Sequence, residues 1–240
     1  MHRTLKTGGA PAAFYGTRVT GMAPAQLASL RAIIGQVAFG PARGRSRTLQ
    51  FLLNQDHQLD PTYKANSLPL CMWLQAILHG WVPKSMLATC WRHYQACRAV
   101  KWTEVLGPTG AVCATLPRLG WEGVSFDRWK IGDGLEIDLS TFGRRSLHAL
   151  IDRGTCREML RYVSVPSSSN VMKPPMINVI RQELQAFRKR GDADAAIFLS
   201  GVVAGGYPSQ LQLFLDRKVV NPFCLLCGQV VGTPKHRFSA

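Results

Sequence analysis

The chain has 240 residues, 46% of them hydrophobic, and sets 29 Lys plus Arg against 14 Asp plus Glu, for a formal net charge of +15. This composition excludes a disordered, collagen-like or low-complexity chain and can fill a buried core in one large domain or two to three small ones. The longest mostly apolar stretch without a charge, Ala195 to Tyr207, is short of the ~18 residues that a membrane span needs, so no membrane partner is expected.

In chain order, Ala23-Pro24 opens a helix with Leu27, Leu30, Ile33, Ile34 and Val37 on one face and Gly40-Pro41 as its stop. Arg43, Arg45 and Arg47 then alternate with small residues in a basic loop, followed by a short helix over Leu49 to Leu53. Asp60-Pro61 opens a long helix that runs to Leu78 with Pro69 predicting a kink, and His79-Gly80 closes it. Pro83 begins a third helix, in which Met86, Cys90, His93 or Tyr94, and Cys97 recur at helical spacing and read as its buried stripe. A shorter helix follows from Gly107-Pro108 to Leu119, with Gly120 at its C-terminal end.

The period then changes. Val124 to Ile131 and Leu135 to Leu139 alternate in polarity on either side of Gly132-Asp133-Gly134, which predicts a β-hairpin. A helix from Arg144 to about Val163 is next, and Val165 to Pro175, rich in Ser and Pro, reads as a linker. Pro175 to Arg190 is helical with the basic last turn Arg188-Lys189-Arg190, and Ala195 to Leu215 reads as a helix broken at Gly205-Gly206 and Pro208. The expected architecture is therefore mainly α with a small β-hairpin. A basic helical domain over 1–107 precedes a helix-hairpin-helix domain over 108–165, a linker over 166–175, and a helix with a finger-like tail over 176–240.

The charge is uneven. Residues 1–100 hold 11 basic and 2 acidic side chains, with no acid before Asp56; residues 101–165 hold 9 and 8, and residues 166–240 hold 9 and 4. Such an excess predicts a polyanionic partner, RNA or DNA before anything else. Arg3, Lys6 and Arg18 are too sparse, and too interrupted by Gly and Pro, to form the basic amphipathic helix of a transit peptide. Seven cysteines at irregular spacing do not make a disulfide framework, which points to a reducing intracellular compartment, nuclear or cytoplasmic.

Several chemistries have no motif here. There is no Asp-Asp dipeptide to hold the paired metal ions of a polymerase, and no G-x-x-x-x-G-K-[ST], G-x-G-x-x-G, G-x-S-x-G or H-E-x-x-H. Asp133, Glu136 and Asp138 are the one dense carboxylate group, and their alternation with Leu135, Ile137 and Leu139 reads as the solvated face of the hairpin. No catalytic residue and no small-molecule substrate are expected.

Two kinds of binding residue stand out. Cys224 and Cys227, at x2 spacing and followed by Gly228 and His236, present two thiolates and an imidazole to one point, a three-donor set for Zn2+ that is one short of the usual four. Arg43, Arg45, Arg47, Arg188, Lys189 and Arg190 are the candidate phosphate contacts, which would set affinity rather than sequence choice. Most of the six tryptophans are expected in the core, and none is taken as a platform for a base.

The order of motifs resembles a known family. Pro11-Ala12-Ala13-Phe14-Tyr15-Gly16-Thr17-Arg18-Val19, followed by the Leu27/Leu30/Ile33 helix, is similar to the segment after the palm in reverse transcriptases of non-LTR retrotransposons. Gly107-Pro108 to Trp121, the Trp129 to Leu139 hairpin, and Cys224-x2-Cys227-Gly228 with His236 are similar to the rest of that C-terminal region, which ends in a Cys-Cys-His-Cys zinc motif. The resemblance implies a thumb-like, RNA- and DNA-gripping portion of an RNA-directed DNA polymerase. It places the catalytic palm before Met1, so Mg2+ is not expected, and carries Cys224, Cys227 and His236 over as ligands of a degenerate, truncated knuckle. Arg18 stands where the family usually has an acid. The function expected is that of a non-catalytic nucleic-acid-binding fragment of a retroelement, the alternative being a basic helical scaffold for an acidic protein.

Overall fold

A computed structural model describes residues 9–40, 46–54, 60–96, 101–163, 174–204, 210–215, 217–223 and 229–231. The fold is mainly helical with a small antiparallel sheet. The helices are α1 (Ala10–Ala13), α2 (Thr17–Thr20), α3 (Pro24–Phe39), α4 (Arg47–Asn54), α5 (Pro61–Leu78), α6 (Lys84–Ala96), α7 (Pro108–Thr115), α8 (Arg144–Val163), α9 (Pro174–Lys189), α10 (Ala193–Val203) and α11 (Gln210–Leu215). The strands β1 (Glu122–Gly123), β2 (Arg128–Lys130) and β3 (Glu136–Asp138) pair in that order.

Local chemistry sets most boundaries. Asp60 caps α5 by accepting from the Thr62 N–H at 2.9 Å, and the missing N–H of Pro61 is harmless in the first turn. The helix then continues through Pro69 to Leu78. Gly107 and Pro108 open α7, whose end tightens into a 3-10 turn over Leu116–Leu119 and stops at Gly120 in the left-handed region. Asp192 caps α10 by accepting from Ala195 N–H at 3.0 Å.

The chain forms two compact units. The first takes its described residues from Met1–Ala38 and Asp56–Met159, the second from Phe39–Gln55 and Leu160–Ala240. The core of the first unit runs across the boundary expected at 107/108. Leu70, Trp73 and Leu74 of α5 share one cluster with Leu87 and Trp91 of α6, Val112 of α7, Trp129 and Ile137 of the sheet, and Leu147 and Ile151 of α8. One cluster thus draws on elements from both sides of that boundary. Trp73 stacks obliquely near Trp91 with ring centroids 5.9 Å apart, and its Nε1–H donates to the Phe126 carbonyl at 2.7 Å, which ties α5 to the loop before β2.

The sheet departs from the expected hairpin in two respects. It has three strands, since Glu122 pairs with Lys130 and Gly123 with Trp129. The alternation is also incomplete: Trp129 and Ile137 are opposite each other and buried, whereas Val124 and Leu135 are exposed. On the outer face, Arg128 is opposite Asp138 and Lys130 is opposite Glu136, so cations face the carboxylates across the ladder. Asp138 accepts from both Ser140 N–H and Ser140 Oγ–H, and these bonds hold its carboxyl below the usual range.

The buried stripe of α6 is also different from the expected one. Leu87 and Trp91 face the core, while Met86, Cys90 and His93 are exposed and Cys97 lies outside the described residues. The packing partner decides it: Gly123 lies so close to the Trp91 ring that a Cβ there would collide with it.

In the second unit, α9 and α10 pack on each other and on α4, with Leu53, Leu184 and Ala196 at the centre and Ile180, Phe187 and Leu199 around them. Arg181 Nε donates to the Leu52 carbonyl at 2.8 Å, and Ser46 N–H donates to the Ala204 carbonyl at 2.7 Å. The region expected as one broken helix is α10 and α11, with 205–209 between them outside the described residues.

Candidate nucleic-acid interface

The first unit carries a groove of about 770 Å³ on the opening turns of α5 and on α1 and α2. Its position follows from local structure. Tyr63, Lys64, Ser67 and Leu68 are spaced i, i+1, i+4 and i+5 on α5 and so form one face of that helix. Gly16 and Gly21 enclose α2, with φ of 80° and 66°, a region that L side chains rarely enter. This short turn presents Arg18 and Val19 to the groove, while Phe14 is buried below it.

The groove is mostly apolar but has a cationic edge. Lys64 Nζ lies 5.5 Å from the centroid of the Phe14 ring, and Arg18 is exposed beside it. Tyr15 is 92% exposed, an unusual place for a ring on a helix-rich unit that buries most of its tryptophans. None of the described lining residues is an acid.

Behind the groove, the Tyr63 hydroxyl lies 2.7 Å from His148 Nδ1, and Cys71 Sγ lies 3.5 Å from His148 Nε2. Nδ1 can bond the Tyr63 hydroxyl in either tautomer, and Cys71 Sγ lies within 4.0 Å of both ring nitrogens. Burial pushes the Tyr63 phenol up to about 12 and the Cys71 thiol up to about 11. Burial, and then the Arg144 charge, lower the His148 imidazole. All three groups are therefore neutral near pH 7, which suits holding the Tyr63 ring in place and does not suit a thiolate nucleophile.

A second polar network fastens the support. Arg118 Nη2 donates to the Met22 carbonyl at 2.6 Å, Arg118 Nη1 donates to Asn66 Oδ1 at 3.4 Å, and Asn66 Nδ2 donates to Thr155 Oγ1 at 3.2 Å. It links the segment after α2 to α5, the 3-10 turn and α8. Asp60, buried at the α5 cap, has its carboxyl raised by burial, an effect opposed by Arg31 and by the Thr62 N–H.

The expected phosphate contacts belong to the second unit and the groove to the first. Arg188, Lys189 and Arg190 are exposed at the end of α9, where a cation suits the helix dipole, and Arg190 stacks 4.9 Å from the Phe187 ring. Arg47 is half-buried and donates to Gln50 Oε1 at 3.3 Å. Arg43 and Arg45 lie outside the described residues, as do Cys224, Cys227 and His236. Among the described residues no group of three or more His, Cys, Asp or Glu is placed to hold a metal ion, and no helix is long and apolar enough to cross a membrane.

Sequence reasoning missed Tyr63, Lys64 and His148. Tyr63 and His148 are 85 residues apart, so no local spacing joins them. Compared with family models, curated proteins and solved structures, the chain matches none.

Proposed function

We propose that this chain is a non-catalytic nucleic-acid-binding protein that grips the phosphate backbone, in the manner of the thumb-like portion of a retroelement reverse transcriptase. The observation that carries the reading is a groove edged by Arg18 and Lys64, with no carboxylate among its described lining residues, on a chain of net charge +15. The exposed Arg188-Lys189-Arg190 turn supports it from the second unit. Cations that meet phosphates release condensed counterions, so the binding is expected to weaken steeply with salt. Zn2+ is not used in this reading: Cys224, Cys227 and His236 supply one donor fewer than a structural site takes, so a fourth would have to come from elsewhere.

The test is fluorescence anisotropy of a structured RNA between about 50 and 300 mM salt, a range in which several phosphate contacts give a steep log–log slope. Replacing Arg188, Lys189 and Arg190 together by Ala is expected to reduce that slope by roughly 2–3, from about 0.7–0.9 per contact. Weak, salt-independent binding would overturn the reading. An acidic protein captured in the presence of excess RNA would favour the scaffold alternative.

A further inference from the structure

We infer that the groove on α1, α2 and α5 is a receptacle for one unpaired nucleotide, its base in the apolar cleft and its phosphate at Arg18 and Lys64. The inference rests on the backbone-binding reading and makes it more specific. A cation pair alone would serve for phosphate, and it would need no cavity. Here the cations edge a cleft of about 770 Å³, within the ~300–1,000 Å³ typical of sites that enclose small ligands. Its occupant must combine an apolar face with negative charge. A duplex presents its phosphates with the bases stacked away inside, whereas an unpaired nucleotide offers both together.

The walls fit a planar ring. Tyr15 projects almost fully into solvent at the rim, the position from which an aromatic stacks on a base. Val19 and Leu68 line the cleft, and Lys64 is drawn over the Phe14 ring. The Tyr63 ring, also part of the lining, is fixed by its hydroxyl at His148 Nδ1, so a base meets a surface that is already ordered. Arg18 has no carboxylate partner among the described residues and is available to a phosphate.

The experiment compares, for the full chain at fixed salt, an RNA duplex with blunt ends and the same duplex carrying a short single-stranded overhang. The overhang is expected to bind roughly tenfold more tightly, the scale of one base stacked on an aromatic. Tyr15→Ala removes the rim ring and Val19→Trp fills the cleft; each is expected to bring the overhang-to-blunt ratio close to one. Circular dichroism checks the fold, and if Val19→Trp does not fold, Tyr15→Ala carries the test because that side chain is exposed. A wild-type ratio of one, or a ratio that survives Tyr15→Ala, overturns the inference while leaving backbone binding intact. Overhang binding without blunt-duplex binding supports the inference and confines the backbone grip to single strands, whereas failure to bind either RNA overturns both. An acidic peptide that displaces the overhang as readily as a short oligonucleotide assigns the groove to a protein and overturns the inference.

Discussion

The Tyr63 hydroxyl and His148 Nδ1 meet at 2.7 Å between the first turn of α5 and the second turn of α8. Because burial and Arg144 lower the imidazole from its ordinary value of 6.5, the folded protein resists protonation that the unfolded chain accepts. The stability linked to His148 is present above about pH 6.5 and is lost as the pH falls through the lowered value. His148→Gln is expected to flatten the fall in Tm measured from about pH 8 to about pH 5, and melting curves that shift in parallel would sink this assignment. Tyr63→Phe removes the phenol's bond and is expected to cost about 0.5–1.5 kcal/mol.

Gly21 combines a φ of 66° with close packing, since a Cβ there would lie 2.7 Å from Cζ3 of Trp102. That ring cannot give way cheaply, because the Arg118 guanidinium lies 4.6 Å from its centroid and is itself bonded to the Met22 carbonyl. Gly21→Ala is expected to lose roughly 1–3 kcal/mol in urea denaturation, from backbone strain and the displaced indole together. A loss of only a few tenths would show that the turn relaxes.

Asn66 is buried and serves Arg118 and Thr155 at once. Replacing it with Leu keeps the bulk but takes the Asn66 bond from the buried Thr155 hydroxyl and one of several contacts from Arg118, so Asn66→Leu is expected to cost about 1–3 kcal/mol. A double-mutant cycle with Thr155→Val checks the pairing, and simple additivity would rule it out.

The cysteines should separate by reactivity. Burial pushes the Cys71 thiol up to about 11 and the Cys113 thiol up to about 12, whereas Cys90 is exposed. A rise from 9.0 to about 11 leaves Cys71 with about 100-fold less thiolate than an ordinary thiol at the same pH. Iodoacetamide labelling read by peptide mass spectrometry is expected to mark Cys90 well before Cys71 and Cys113 in the native protein. Equal rates would contradict the burial.

The helix boundaries were legible where the chemistry is local. Asp60-Pro61 caps α5, Gly120 stops the turn after α7, and the expectation of a helix from Arg144 to Val163 agrees with α8. Trp129 and Ile137 followed the alternation of a strand because one face of β2 and β3 lies on the core. Residues whose partners are distant were not legible. The stripe of α6 expected through Met86 and Cys90 is exposed, and the buried one runs through Leu87 and Trp91, where Gly123 closely approaches the Trp91 ring. The two-residue strand β1 is too short to show a period. The groove was hidden for the same reason, since its edge is made by α1 and α2 and its floor by α5, and only the folded chain brings Arg18 beside Lys64.

The second unit is interrupted in sequence: α4 leaves the ribosome early, yet Leu52 waits for Arg181, 129 residues later, and Leu53 for Leu184 and Ala196. At ~5–20 residues per second, synthesis leaves the apolar side of that short helix without its partner for on the order of 10 seconds. An eight-residue helix does not persist in water unaided, so α4 forms after its neighbours and not before them. The nascent chain thus carries the apolar side of the segment around Leu49 to Leu53 uncovered over that interval, when misassembly competes with folding.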